Sequence, residues 1–268
     1  MFDIFMEIIR VKLINSMGKT NGCETAPVEV LNALKKIGSK ENGELVEFDK
    51  LNFEEIHVDL SNLEEAEWLI EKNSEKAFCK HDKAFFVGGD HSISYSILKS
   101  FNKVEDNPLL VVFDAHADCM EPGEEPTHEE WLRGIVEKGF DPSKIILIST
   151  RNIWKEEADF LKEKGILWIK MDVLREDIEN VCDLVMERAR KSSGFYISID
   201  IDAVDPGFAP GVAYPEAGGL SSGELIYFVK RLNLLDNFRG ADIVEINPDK
   251  DVNGMTVKLG ARVLAEMI

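Results

Sequence analysis

Three short stretches carry side chains whose types and spacing could hold cations: FFVGGDHS (85–92), VVFDAHAD (111–118) and SIDIDAVDP (198–206). In the first, an apolar run meets two glycines, then Asp90 and His91. Glycines let the backbone turn sharply at little steric cost. His91 is thereby expected at the carboxyl end of a strand, where α/β folds place their ligands. In the second, Asp114, His116 and Asp118 stand at i, i+2 and i+4, separated by small alanines. Alternate side chains of an extended backbone share a face, so the three groups should point the same way. Two carboxylates this close repel, a histidine offsets that only in part, and a divalent cation resolves the conflict. In the third, Asp200 and Asp202 repeat the i, i+2 pattern after another apolar run, and Asp205 follows three residues on. Unpaired carboxylates at the end of a buried strand are costly, and metal coordination is the usual compensation.

The candidate ligands are therefore His91, Asp114, His116, Asp118, Asp200 and Asp202. Carboxylate oxygens mixed with imidazole suit Mn²⁺, with Fe²⁺, Co²⁺ or Zn²⁺ as alternatives. The set is too large for one tetrahedral zinc. Two cations about 3.5 Å apart, sharing bridging carboxylates, would use all of it. A lone D-x-D or D-x-H is commonly a solvated loop or a helix cap. The recurrence of such motifs at three strand ends carries the metal reading.

The elements that must position these groups are legible as short apolar runs between longer amphipathic stretches. The runs are KAFFV (83–87), PLLVVF (108–113), KIILIST (144–150), ILWI (166–169), FYISI (195–199) and ADIVEI (241–246). Such runs suit strands buried on both faces of a parallel sheet. The intervening stretches read as helices. Ser61 with Glu64, Thr127 with Glu130, and Ser221 with Glu224 have capping-box spacing, and Gly165 after Lys162 and Lys164 reads as a helix stop. This alternation predicts an α/β fold with a doubly wound parallel sheet. The Gly- and Pro-rich segment from Pro206 to Gly219 is the kind of loop that lines a site. No linker stands out, and residues 1–268 read as a single domain.

Composition narrows the function classes. The 268 residues include 50 acidic and 31 basic side chains, a net charge of −19. Nucleic acid and anionic membrane surfaces are thereby disfavoured as partners, whereas a cationic small molecule or a divalent metal would be attracted. The same charge also serves solubility alone. Cys23, Cys79, Cys119 and Cys182 show no C-x-x-C spacing, which removes zinc-finger and redox-motif readings and fits a reduced, cytoplasmic setting. The N-terminal MFDIFMEIIRVKLI lacks a signal-peptide pattern, and no apolar run reaches the roughly 18 residues of a membrane span.

GGDHS, DAHAD and SIDIDAVDP, in this order, resemble the three signatures of the ureohydrolase (arginase/agmatinase) family, and the likeness runs from about Gly22 onward. The resemblance implies a three-layer α/β/α sandwich with a mainly parallel sheet. It also implies two Mn²⁺ per subunit and hydrolysis of a guanidino group to urea and an amine. Carried over position by position, His91 and Asp118 would bind one metal, His116 and Asp202 the other, and Asp114 and Asp200 would bridge them. Asp118 would also act on the attacking water as a catalytic residue. Glu245 in DIVEINP resembles the family carboxylate that binds the guanidinium, and a carboxylate can accept two parallel N–H bonds from that planar group. His128 in PTHEEW resembles the family histidine that shuttles protons at the pocket mouth. Glu129 stands where the family usually has glycine, a departure from the pattern. The family commonly forms homo-oligomers, trimers or hexamers. His57 and His81 are expected as surface or packing residues, and Cys119 as a neighbour of the ligands without a role of its own.

Substrate choice rests on less. Arginases grip the α-amino and α-carboxylate groups with polar residues after D-x-H-x-D and after the next strand. Here those segments begin Cys119-Met120 and read STRNIWKEE, with Trp154 near an expected Asp. Fewer hydrogen-bond partners for an amino-acid head group favour agmatine or another decarboxylated guanidino compound. Arginase activity on L-arginine, guanidinobutyrase and formimidoylglutamase activities are the alternatives. A two-metal phosphoesterase also uses D-x-H, but needs a later G-N-H-[DE] that this chain lacks. A non-catalytic metal-binding subunit is expected to have lost ligands, and none is missing.

Overall fold

The computed structural model describes residues 6–268. Among the described residues, eight strands form one sheet: β1 (Met6–Val11), β2 (Phe53–Ile56), β3 (Lys83–Gly88), β4 (Pro108–Phe113), β5 (Ile145–Thr150), β6 (Leu167–Lys170), β7 (Gly194–Asp200) and β8 (Phe238–Val244). Their order is β2-β1-β3-β8-β7-β4-β5-β6, and every neighbouring pair is parallel. Helices α1 (Ala26–Leu34), α2 (Leu63–Lys80), α3 (Ile93–Val104), α4 (Trp131–Glu137), α5 (Lys155–Lys164), α6 (Met171–Glu176), α7 (Ile178–Arg190), α8 (Ser222–Leu232) and α9 (Met255–Met267) cover it on both sides.

Strand periodicity explains the two cores. On β3, Phe85 and Val87 join one cluster with helices α1 and α6–α9, while Ala84 and Phe86 join the other with α2–α5. On β4, Leu109, Val111 and Phe113 alternate likewise with Leu110 and Val112. Both faces of the central strands are therefore apolar, and each buried large side chain contributes about 1.5–3 kcal/mol. Among the described residues, no helix is long and apolar enough to cross a membrane.

Several local expectations are revised. The cap of α2 is Asn62, which accepts from Glu65 N–H, because Ser61 is already tied by its N–H and hydroxyl to Asp59. Thr127 and Glu130 meet in a turn, and α4 begins only at Trp131. The Ser221–Glu224 capping box and the left-handed Gly165 stop are both present. The glycines before Asp90 supply room, and neither has positive φ. A Cβ on Gly89 would sit 2.0 Å from the carbonyl oxygen of Leu13. That close approach joins the strand ends: Gly89 and Asp90 N–H donate to Val11 and Leu13 carbonyls.

Candidate active site

The four central strands β3, β8, β7 and β4 are neighbours, and each delivers candidate groups from its carboxyl end. His91 follows β3, Glu245 follows β8, Asp200 ends β7 with Asp202 just beyond, and Asp114 to Asp118 follow β4. The extended-backbone expectation for the last two motifs does not hold. β4 stops at Phe113, Asp114 accepts from His116 N–H, and Asp118 sits at φ 50°. Asp202 lies in a short 3-10 turn, Ile201–Ala203, capped by Asp200. Tight turns, not a shared strand face, make these side chains converge.

All six candidate ligands come together. His91 Nδ1 lies 3.2 Å from Asp114 Oδ2, 3.1 Å from Asp118 Oδ2 and 3.4 Å from Asp200 Oδ2. His116 Nδ1 lies 2.9 Å from Asp202 Oδ2 and 3.6 Å from Asp114 Oδ1. Ligand atoms of His91, Asp114 and Asp118 all fall within 4.8 Å of one another, as do those of Asp114, His116 and Asp202. Asp114 belongs to both groups. His91 Nδ1 and Asp114 Oδ2 are buried and have no aligned hydrogen-bond partner, despite their proximity.

Electrostatics point the same way. Burial, then the charges of Asp202 and Asp114, hold the Asp200 carboxyl well above the usual range. Burial and Asp114 push Asp118 up to about 8. His91 is raised well above an ordinary imidazole: burial opposes its charge, but Asp114, Asp118 and Asp200 together outweigh it. Burial likewise opposes charge on His116, and Asp202 with Asp114 overrides it. So many buried anionic groups around one spot hold protons tightly where no cation replaces them.

Glu245 is buried, adopts φ 63°, and accepts His91 N–H at 2.8 Å. It shares a pocket of about 240 Å³ with His116, Asp118, Asp200 and Asp202. Strained non-glycine backbone at both Asp118 and Glu245 is typical of a functional centre. His128 also lines the pocket. It is buried and stacks on Tyr214 at 5.8 Å; neither ring nitrogen has a hydrogen-bond partner, and Nε2 lies 3.7 Å from Glu129 Oε1. Met120 and Trp154 line the same pocket. His57 is exposed and His81 buried, both away from the pocket.

Other contributors were not identified from sequence. Trp131 donates from Nε1 to Asp118 Oδ2 at 2.7 Å and packs on the His91 ring at 4.4 Å. Glu157 accepts Cys119 N–H and Trp154 N–H, fixing the loop after Asp118. Ser198, two residues before Asp200, hydrogen-bonds His91 Nε2 at 2.9 Å and donates to buried Asp242 at 2.7 Å. Arg151 donates to the Asp202 and Glu216 carbonyls, and Asp205 accepts the N–H of Gly207 and Gly218, so the 206–219 loop is braced at both ends. Only i, i+2 proximity to Asp200 could have signalled Ser198. The rest depend on the folded geometry.

The sequence profile of the arginase family matches residues 7–268. Arginase 1, mitochondrial, of Oryza sativa subsp. indica is 34% identical over 189 residues, covering 68% of this chain and 53% of that protein. The match thus spans about half the length of that curated relative. Guanidinobutyrase of Pseudomonas aeruginosa is 31% identical over 232 residues, covering 82% of this chain and 72% of that protein. The crystal structure of formimidoylglutamase from Bacillus subtilis superposes with a TM-score of 0.90 at 26% identity, covering 99% of this chain and 86% of that one.

Proposed function

The chain belongs to the arginase family, and from that premise we propose that it is a two-metal hydrolase of linear guanidines, releasing urea and an amine. The observation that carries this reading is the convergence of six ligand-type side chains on one spot, with Asp114 common to both groups, beside Glu245 in one pocket. The donor set fits a pair of cations. Two nitrogens and four carboxylates are present, and the buried His91 Nδ1 and Asp114 Oδ2 lack an aligned hydrogen-bond partner within it. His91 and Asp118 would hold one Mn²⁺, His116 and Asp202 the other, with Asp114 and Asp200 between. When bound, the cations would supply Lewis-acid charge and lower the pKa of water from 15.7 toward about 7.

The chain's own groups do the rest. Glu245 uses one oxygen for His91 N–H, so its other oxygen serves the guanidinium, holding the electrophilic carbon beside the ligand cluster. Trp131 fixes Asp118 through Oδ2, leaving Oδ1 to take a proton from attacking water and pass it to the leaving nitrogen. His128, buried in the pocket lining with Nε2 facing Glu129, exchanges protons between this site and solvent. As water adds to carbon, the C–N bond to the alkyl amine breaks, giving urea and the free amine.

The preferred substrate is agmatine or a similar guanidine without an α-carboxylate. Met120 and Trp154 line the pocket where an amino-acid head group would need polar partners. The same reading takes residues 1–268 as one catalytic domain that assembles as a homo-oligomer. It also assigns a reducing cytoplasmic location, in keeping with four unpaired cysteines. The test is urea release by Mn²⁺-loaded protein over agmatine, L-arginine, 3-guanidinopropionate and 4-guanidinobutyrate, with formamide release from formimidoylglutamate in parallel. Agmatine should give the highest kcat/KM. A higher value on L-arginine would reject the substrate assignment, and no turnover of any guanidine would reject the function.

A further inference from the structure

Resting on the guanidine-hydrolase reading above, we propose that Glu216 is the specificity residue that reads a positively charged tail at the far end of the substrate. The pocket is lined by carboxylates in different states of occupation. Glu157 is buried, and its two oxygens accept the N–H groups of Cys119 and Trp154. Glu129 is paired with Lys19 at 3.1 Å. Glu245 stands beside the ligand cluster, where the guanidinium belongs. Glu216 differs from all three. Its Oε1 accepts from Asn152 and lies 3.7 Å from His116 Nε2, while Oε2 has no partner among the described residues. The side chain keeps 30% of its surface accessible and faces the pocket.

Arg151 acts on the Glu216 carboxylate only through space and donates no hydrogen bond to it. Arg151 lies beneath the loop, but its donors go to the carbonyls of Ser149, Asp202, Ala203 and Glu216 itself. Lys19 is engaged by Glu129. Glu216 is therefore a carboxylate held in place with one oxygen left open to a ligand. Its backbone is fixed by two bonds from Arg151, and one carboxylate oxygen is fixed by Asn152. A pre-positioned acceptor loses little freedom when it binds an ammonium. A carboxylate tail would meet like charge at Glu216, so the same residue also discriminates against acid-tailed guanidines. Tyr214 and Trp154, which line the same pocket, offer apolar surface to the methylene chain between the two ends.

The test compares three guanidines of one chain length on Mn²⁺-loaded protein: agmatine with an ammonium tail, butylguanidine with none, and 4-guanidinobutyrate with a carboxylate. Wild-type protein should rank them in that order. In Glu216→Gln, the preference for agmatine over butylguanidine should shrink by roughly 10- to 100-fold, the value of a hydrogen bond between charged groups, and should do so through KM. Glu216→Lys should raise 4-guanidinobutyrate above agmatine. Metal content, measured by elemental analysis, should stay at the wild-type level in both variants. Equal losses on agmatine and butylguanidine, or loss of metal, would overturn the proposal and make Glu216 a support for His116. Wild-type turnover of 4-guanidinobutyrate equal to that of agmatine would overturn it too. Turnover of none of the three would overturn the underlying reaction along with it.

Discussion

Removing the metals should turn the ligand cluster into a pH-dependent weak point. In the metal-free protein, Asp118 is held up to about 8, Asp200 and Glu245 well above the usual carboxylate range, and His91 and His116 above an ordinary imidazole. In the unfolded chain the carboxyls return to about 4 and the imidazoles to about 6.5. Between pH 4 and 8 the folded state therefore binds more protons than the unfolded one. Stability must fall as pH rises across that window. The depressed carboxyl of Asp114 acts in the opposite sense only below the window. For Asp118 alone, a shift from 3.8 to about 8 sets an upper bound of about 6 kcal/mol at 1.36 kcal/mol per pH unit. Between pH 5 and 8, one retained proton is worth at most about 4 kcal/mol. Sharing of protons within the cluster reduces this to about 2–4 kcal/mol, or a Tm drop of roughly 5–10 °C for a domain of this size. Mn²⁺ at the proposed site would take the place of those protons, so its stabilisation should grow over the same range. Calorimetry on chelator-treated and Mn²⁺-loaded protein at pH 5, 6, 7 and 8 measures both trends. A metal-free Tm that stays level or climbs from pH 5 to 8 would refute the reasoning.

Three substitutions probe single links of the account. Trp131→Phe keeps an aromatic ring near His91 but removes the 2.7 Å bond to Asp118. Steady-state kinetics should show kcat/KM lower by roughly 10- to 100-fold, and an unaltered value would deny Trp131 its positioning role. Glu245→Gln should lose roughly 100-fold or more in kcat/KM while elemental analysis finds metal content unchanged. Full activity in that variant would remove the guanidinium contact. Gly89→Ala forces a Cβ to 2.0 Å from the Leu13 carbonyl. It should cost about 2–3 kcal/mol in chemical denaturation, whereas a neutral effect would show that the strand ends can move apart.

The central strands were legible because burial on both faces leaves continuous apolar runs, as in PLLVVF and KIILIST. β1 escaped notice because Glu7 and Arg10 interrupt it, and β2 because FEEI is a short, half-polar edge. The six candidate ligands are legible from residue type and spacing, but a shared strand face is not what makes them converge. Asp114, His116 and Asp118 meet through a turn beyond β4, at φ values that spacing does not report. Trp131, Arg151 and Glu157 were not legible as site residues. Trp131 reaches Asp118 across 13 positions, and Glu157 reaches Cys119 across 38. Such partners share no local pattern, and only the packing of α4 and α5 over the loop after Asp118 brings them there.

The most direct test of the central claim is a Mn²⁺ titration of chelator-stripped protein, following urea release from agmatine. The account predicts negligible urea without metal and a rise that saturates at two Mn²⁺ per chain. Urea release indifferent to metal, or saturation at one, would contradict it.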